Sequence, residues 1–293
     1  MIYEEMTKNI REICAKLLES KKVDVIIAYR GGGINDMQIP FFAKEPSDAQ
    51  YIEWGDRCYQ NIASYLLGLK KKAGILAKPC DIRAIVQYVI EQQIKLEDVY
   101  IIGVDCMGMV DENGKPRPGC PDCTVHKPPV YNEYIQDLRI LPSDDKAGAI
   151  DTAKKEAEEG DLAENLARFQ KEIEKCILCY ACRQACYGCY CKECFMERDM
   201  TNWHPAEINN GAKMTFHLGR SMHLAGRCVE CGACEASCQS GVNLRYIIKN
   251  VTAFIEEIYA YSAGMDIDQK PALLTNKFDD AEIGFLEDDE HAE

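Results

Sequence analysis

Two hydrophobic patterns alternate along the first hundred residues. Over 2–20, apolar side chains recur every three or four positions, which predicts an amphipathic helix. Short unbroken apolar runs, which are typical of buried strands, follow at 23–29, 73–78 and 99–105. Helical patterns over 56–70 and 81–94 lie between these runs, and Asp81 is the expected N-cap of the second helix.

This order of elements predicts an α/β domain with a small parallel sheet over residues 1–140. Residues 107–147 are rich in Gly, Pro and Asp and should form a long loop. The charged segment 141–175 predicts a helical linker. We expect an α-rich, cysteine-rich domain over 176–265, then an acidic tail over 266–293 that is flexible or docks onto a partner.

Composition narrows the classes of function. The chain has 293 residues and a net charge of −14, which argues against nucleic acid and anionic membrane surfaces as partners. No stretch reaches the roughly 18–20 apolar residues of a membrane span, and the acidic N-terminal segment does not resemble a signal peptide. We therefore expect a cytoplasmic protein. Its 17 cysteines would stay reduced there, so metal ligation is favoured over disulfide formation.

Two stretches in the second half repeat one cysteine spacing, C-x2-C-x2-C-x3-C. In bacterial two-cluster ferredoxins, the fourth cysteine of each such run ligates the cluster of the other run. The spacing therefore predicts two [4Fe–4S] clusters. Their expected ligands are Cys176, Cys179, Cys182 and Cys238 for the first cluster, and Cys228, Cys231, Cys234 and Cys186 for the second. The proline that usually follows each run is replaced by Tyr187 and Gln239, which removes no ligand.

Two other kinds of metal site, a zinc ribbon and a radical-SAM cluster, match this region less well than two clusters do. A zinc ribbon uses four ligands and does not explain two complete runs. The radical-SAM spacing C-x3-C-x2-C at 182–189 lacks the large α/β barrel that would surround it. The role of three further cysteines stays open. They form either an additional metal site or redundant thiols: Cys189, Cys191 and Cys194.

Two further helices are expected in this half, and its histidines show no ligand spacing. The helices span 212–226 and 243–262. His217 and His223 should pack or hydrogen-bond beside the clusters. The remaining histidines, for which no role is predicted, are His126, His204 and His291.

Four cysteines of the first half follow strands of the predicted sheet. Cys80 begins a helix after one strand, Cys106 ends the next strand, and Cys120 and Cys123 form the CPDC pair of the following loop. Sites in α/β proteins form where loops leave one edge of a parallel sheet. The pattern is compatible with a third [4Fe–4S] cluster, with a structural zinc, or with two buried cysteines beside an isolated CxxC pair.

The segment AKPCDIRAIVQYVIEQQIKLEDVYIIGVDCMG at 77–108, followed by the CxxC pair, resembles the beta-subunit family of coenzyme F-420 (deazaflavin) hydrogenases and dehydrogenases. That family binds a [4Fe–4S] cluster and commonly FAD, and it passes electrons between them. The resemblance covers about residues 20–135. It implies that the third cluster is held by Cys80, Cys106, Cys120 and Cys123. The whole arrangement also looks like the iron–sulfur subunits of heterodisulfide-reductase-type and formate-dehydrogenase complexes in anaerobes, which implies partner redox subunits.

The sequence RGGGIND at 30–36 is the local candidate for contact with a flavin phosphate. Gly31, Gly32 and Gly33 allow backbone N–H groups to approach a phosphate, although a flexible turn explains them equally well. We expect an electron-transfer subunit without catalysis of its own. The alternatives are a flavin-containing oxidoreductase that acts on deazaflavin, ferredoxin or a thiol, and a zinc module without redox chemistry.

Overall fold

The structure, a computed structural model, describes residues 2–137, 161–197 and 207–274. Several predictions fall outside these residues: the domain boundary at 140, residues 141–160 of the linker, His204, His291 and the acidic tail from residue 275.

Five strands form one mixed sheet: β1 Val25–Arg30, β2 Ile39–Ala43, β3 Ala73–Ala77, β4 Val99–Val104 and β5 Glu133–Ile135. Their order is β2-β1-β3-β4-β5. The α/β prediction is confirmed, and β1, β3, β4 and β5 are parallel. The prediction of a parallel sheet is wrong at one edge, where β2 pairs with β1 as an antiparallel strand. The apolar pattern did not reveal β2, which contains Pro40, or the three-residue β5.

The described residues form these helices: α1 Ile2–Glu19, α2 Pro79–Ile90, α3 Leu162–Glu174, α4 Ala181–Gln184, α5 Asn210–His223, α6 Ala233–Ala236 and α7 Leu244–Tyr259. Short 3-10 segments lie at Ile34–Asp36, Pro46–Tyr51, Ala63–Leu66, Leu96–Asp98, Phe195–Glu197 and Ala272–Leu274. None of the described helices combines the length and the apolar character needed to cross a membrane.

The helix predicted over 56–70 is wrong, since only the 3-10 segment Ala63–Leu66 forms there. The backbone N–H of Ile62 donates to the Asp81 carboxylate (3.3 Å), and that of Ala63 donates to the Asn61 side chain (3.1 Å). Side-chain acceptors that take backbone donors in this way compete with helix formation. A contact between distant parts of the chain has therefore overridden the local apolar period.

The start of α2 also differs from the prediction. Pro79 is its first residue, Lys78 is the N-cap, and Asp81 is the third helical residue. Proline suits the first position because its missing N–H would have no helical partner. The Asp81 carboxylate accepts a hydrogen bond from the backbone N–H of Lys78 (3.1 Å), so it closes the helix start from inside the helix.

Lys78 and Asp81 form a buried ion pair at the carboxyl end of β3. Their side chains are 2 % and 0 % exposed, and Nζ lies 2.7 Å from the carboxylate. Nζ also donates to the Tyr29 hydroxyl (2.5 Å) and the Gln60 carbonyl (2.7 Å). Burial alone would lower the pKa of Lys78, but the adjacent Asp81 and Tyr29 raise it well above its usual value. The pair therefore ties together the ends of β1 and β3 and the loop at Gln60.

One polar face of α2 holds the cysteine-rich half of the chain. Arg83, Gln87 and Glu91 are spaced by four residues, so they lie on the same side of the helix. Arg83 donates to the carbonyls of Ala263 (2.9 Å) and Val229 (3.3 Å). The remaining contacts are Tyr261 Oη to Gln87 (3.0 Å), Arg227 to Glu91 (2.6 Å), and the hydroxyl of Tyr190 to Glu91. The two halves consequently share one apolar core, which includes Tyr187, Val229 and Tyr261.

We expect Lys78→Met to lower the free energy of unfolding by about 3–5 kcal/mol, because it leaves the Asp81 carboxylate buried and unpaired. Guanidinium titration of the anaerobically purified protein measures this change. Lys95→Met is the matched control, since Lys95 and its partner Glu97 are each 76 % exposed at 3.8 Å, and it should change stability little. Equal effects of the two variants would contradict the role assigned to Lys78.

Candidate metal centres

Four cysteines meet at the carboxyl edge of the sheet, and we call them the edge set. They are Cys80 at the start of α2, Cys106 after β4, and Cys120 and Cys123 in the following loop. All four line one cavity of about 790 Å³. Burial raises the pKa of Cys106 to about 12, and the neighbouring thiols of Cys120 and Cys123 raise it further. Such thiols keep their protons until a metal displaces them.

A second group, the inner set, consists of Cys186, Cys228, Cys231 and Cys234. All four line a narrow, mainly apolar cavity. Cys231 also lines the larger cavity, together with the whole edge set. The inner set therefore borders directly on the edge set.

The third group, the outer set, consists of Cys176, Cys179, Cys182 and Cys238. Burial raises the pKa of Cys176, and the nearby thiols of Cys238 and Cys179 act in the same direction. Burial raises the pKa of Cys182 to about 11, with further contributions from Cys234, Cys176 and Cys238. Cys179 is exposed to solvent. The structure thus places Cys186 beside the cysteines of the second run and Cys238 beside those of the first, while their role as cluster ligands stays a prediction.

The two repeated runs share an unusual backbone. The residues two and four positions after the first cysteine have positive φ in both: Leu178 (54°) and Tyr180 (59°) in one, Glu230 (56°) and Gly232 (69°) in the other. For residues other than glycine this conformation carries strain. A short helix, α4 or α6, follows each loop. The repeated spacing is therefore accompanied by two loops with the same pattern of positive φ angles.

Backbone N–H groups point at the cysteine sulfurs in all three sets. The donor and acceptor pairs are Leu178 to Cys176 (3.3 Å), Glu230 to Cys228 (3.4 Å), Val242 to Cys238 (3.4 Å), Gly108 to Cys106 (3.4 Å) and Met109 to Cys120 (3.3 Å). Hydrogen bonds of this kind stabilise thiolates and tune the reduction potential of a bound cluster.

This donor chemistry fits [4Fe–4S] clusters, for which each set offers four thiols. Within residues 2–137, 161–197 and 207–274, no three His, Cys, Asp or Glu side chains are arranged to hold a single metal ion. A [4Fe–4S] cluster instead takes its four cysteine ligands around a core of four irons.

The three cysteines that follow the first run, Cys189, Cys191 and Cys194, lie in different environments. Cys189 hydrogen-bonds to Cys186 of the inner set, which lowers the pKa of Cys186 to about 6. Cys191 is exposed, and Cys194 packs against the apolar cluster around the outer set. An additional metal site formed by these three stays a prediction.

Of the three described histidines, His126 contacts a cysteine of the edge set. His126 Nδ1 is 2.9 Å from the carbonyl oxygen of Cys106, and the His223 ring contacts Phe195. Burial and, to a smaller extent, the charge of Arg220 lower the pKa of His217 to about 4. His217 is therefore neutral at physiological pH.

The glycines at 31–33 lie in the turn between β1 and β2, away from the residues that line the larger cavity. A side chain at Gly31 would collide with the carboxylate of Glu53. A carboxylate at this position repels phosphate, and the 3-10 segment that follows offers no helix N-terminus. Their contact with flavin stays a prediction.

Two glycines bring the edge and inner sets into contact. A Cβ atom at Gly232 would overlap the carbonyl oxygen of Pro118, and one at Gly119 would lie 2.7 Å from the carbonyl oxygen of Glu230. The loop that precedes Cys120 and the loop that carries Cys231 are therefore in contact through their backbones. Side chains larger than hydrogen would force them apart.

Cationic side chains surround the cysteine sets, and the sequence analysis did not single them out. Lys78, Arg83, Arg117, Arg245 and Lys249 line the larger cavity, while Arg220, Arg245 and Lys249 line the narrow one. Arg245 and Lys249 pair with Asp122 of the CPDC loop at 3.0 and 3.2 Å. The signal in the sequence was weak, because these residues come from separate segments without a shared motif.

The chain is similar to the F420-dependent formate dehydrogenase subunit beta of Methanocaldococcus jannaschii. The two are 23 % identical over 348 aligned positions, which cover 87 % of this chain and 91 % of that protein. No family model matches the chain.

We expect Gly232→Ala to destabilise the protein more than Gly241→Ala. Both glycines have positive φ, 69° and 63°, so each alanine carries a strain of about 1–2 kcal/mol. Only Gly232 faces a backbone obstacle, whereas the space beside Gly241 is open. Anaerobic guanidinium titrations of both variants measure the difference. Equal losses would show that the close approach of the two loops contributes nothing to stability.

Proposed function

We propose that this chain is an iron–sulfur electron-transfer subunit of a cytoplasmic oxidoreductase complex. One observation carries the proposal: the three cysteine sets follow one another in a row. Cys231 of the inner set lines the cavity of the edge set, and Cys234 of the inner set interacts with Cys182 of the outer set. Bound [4Fe–4S] clusters supply one-electron chemistry. A row of such centres suits a subunit that relays electrons between other carriers.

The two ends of this row differ in their surroundings. The edge set opens into the 790 Å³ cavity, and the outer set reaches solvent at Cys179. We propose that a partner redox subunit approaches the outer set, because Cys179 and its neighbour Ile177 are both exposed. Catalysis would then belong to another subunit of the complex.

The similarity to the formate dehydrogenase subunit supports membership of a multisubunit redox complex. We propose partners of the formate-dehydrogenase, hydrogenase or heterodisulfide-reductase type. The relation to a deazaflavin-dependent system comes from the same similarity and from the strand, Pro-Cys turn and CxxC arrangement of the edge set.

We expect the anaerobically prepared protein to contain about twelve irons and twelve sulfides per chain, four of each for every cysteine set. Cys120→Ala should leave about eight of each, because it removes one ligand of the edge set. Iron and labile-sulfide determinations on the same sample measure both values.

Cys14→Ala is the matched control. Cys14 is buried on α1 among apolar residues, and burial raises its pKa to about 12, so its removal should not change the iron content. Eight irons in the unmodified chain would contradict a cluster in the edge set. A preparation with zinc and no sulfide would contradict the electron-transfer function altogether.

A flavin-containing oxidoreductase is the second candidate function, and the size and charge of the larger cavity favour it. A volume of about 790 Å³ lies within the range of cofactor sites. The Arg117 guanidinium stacks on Tyr59 at 3.7 Å, and its buried Nε has no hydrogen-bond partner among the described residues. The buried Nε of Arg245 is likewise without one, so both arginines offer donors to an anionic group such as a phosphate.

The second candidate predicts one FAD per chain after gentle anaerobic isolation, seen as flavin absorbance in the acid extract. If the cavity holds FAD, Arg117→Gln should weaken binding of added FAD at least tenfold. Arg168→Gln, at an exposed arginine whose guanidinium lies 5.7 Å from the ring centroid of Tyr246, should leave it unchanged. Failure of the unmodified chain to retain or bind FAD would exclude this candidate and leave the first untouched.

A further inference from the structure

Arg220 lies between the inner and outer cysteine sets. It projects from α5, is 4 % exposed, and lines the narrow cavity together with all four inner cysteines. Its Nη2 donates to the carbonyl oxygen of Cys182 in the outer set (3.3 Å). The side chains of Cys186 and Cys234 of the inner set lie beside it at the wall of this cavity.

The charge of Arg220 has no carboxylate partner among the described residues, in contrast to those of Arg227 and Arg245 nearby. Arg227 pairs with Glu91 at 2.6 Å, and Arg245 pairs with Asp122 at 3.0 Å. The Nε of Arg220 is buried without a hydrogen-bond acceptor among the described residues. Burying an uncompensated charge is costly, so the fold must supply an anion at this position. Among the described residues, the groups around Arg220 that can carry a negative charge are the sulfurs of the cysteines.

Arg220 keeps its positive charge in this environment. A guanidinium is not deprotonated in proteins, so the side chain stays cationic although it is only 4 % exposed. A cation in a water-excluded site interacts strongly with a charge that appears a few ångströms away. One-electron reduction of a cluster adds a negative charge at its site, so Arg220 favours the reduced form.

We infer that Arg220 is a positioning residue that raises the reduction potential of the cluster held by the inner set, relative to the cluster of the outer set. The inference rests on the proposed function, since it requires [4Fe–4S] clusters in both sets. Arg220 lines the narrow cavity together with all four inner cysteines, whereas its hydrogen bond to the outer set is to a backbone carbonyl. Its effect should therefore be larger on the inner cluster.

A redox titration followed by electron paramagnetic resonance tests the inference on the anaerobically purified full chain. Arg220→Gln removes the charge. The equilibrium constant for one-electron reduction of the inner cluster should fall at least tenfold, which is a shift of its reduction potential by about 59 mV to lower values. Cys234→Ala identifies the signal of the inner cluster by its loss. The outer signal should shift less than the inner one.

Lys213→Gln is the matched control. It removes a positive charge from the same helix, where Lys213 Nζ donates to the carbonyl oxygen of Glu174, and it should leave the inner potential unchanged. Arg220→Lys keeps the charge, so the reduction potential of the inner cluster should shift by less than the roughly 59 mV that corresponds to a tenfold change. This variant provides the test if the glutamine variant does not assemble its clusters.

The outcomes separate the two claims. Normal iron and sulfide with an unchanged inner potential in Arg220→Gln would overturn the inference and leave the proposed function standing. A lysine variant shifted by 59 mV or more would also overturn it, because the charge is retained. An unmodified chain without iron and sulfide would overturn the proposed function itself.

Discussion

The polar face of α2 determines how the cysteine-rich half of the chain sits against the sheet. Arg83, Gln87 and Glu91 are matched one by one with groups of that half, and Arg83 and Gln87 are nearly or fully excluded from water. An apolar helix face would tolerate sliding, whereas each buried polar group has to meet its own partner. Since Cys80 begins the same helix, these contacts also set the distance between the edge set and the inner set.

Charge is distributed unevenly in this protein. The chain as a whole carries −14, yet the walls of the two cavities carry lysines and arginines that converge on the cysteines. Asp122 compensates two of these cations, and Glu91 compensates Arg227 nearby. Arg220 has no carboxylate partner among the described residues and lies beside the inner cysteines instead. The chain is therefore acidic overall and cationic beside the cysteine sets.

The strongest periodic segments were predicted well, and the exceptions have identifiable causes. α1 follows the apolar stripe that ends at Leu17 and Leu18, and β1, β3 and β4 coincide with the three apolar runs. The region 56–70 departs from its pattern because Asp81, distant in sequence, captures the N–H of Ile62. The grouping of the thiols could also be predicted from the sequence, because the repeated cysteine spacing and the order of the strands are both local features of the chain.

The sequence by itself determined the local shape of the cysteine loops and the existence of three sets of thiols. Spacings of two and three residues act through neighbouring backbone, so they need no long-range contact. Only the tertiary structure decided that Gly232 meets Pro118, that Cys231 faces the edge set, and that Arg220 stands between inner and outer sulfurs. These relations join segments far apart along the chain. They depend on the packing of α2, α5 and the loops in three dimensions, which no local pattern encodes.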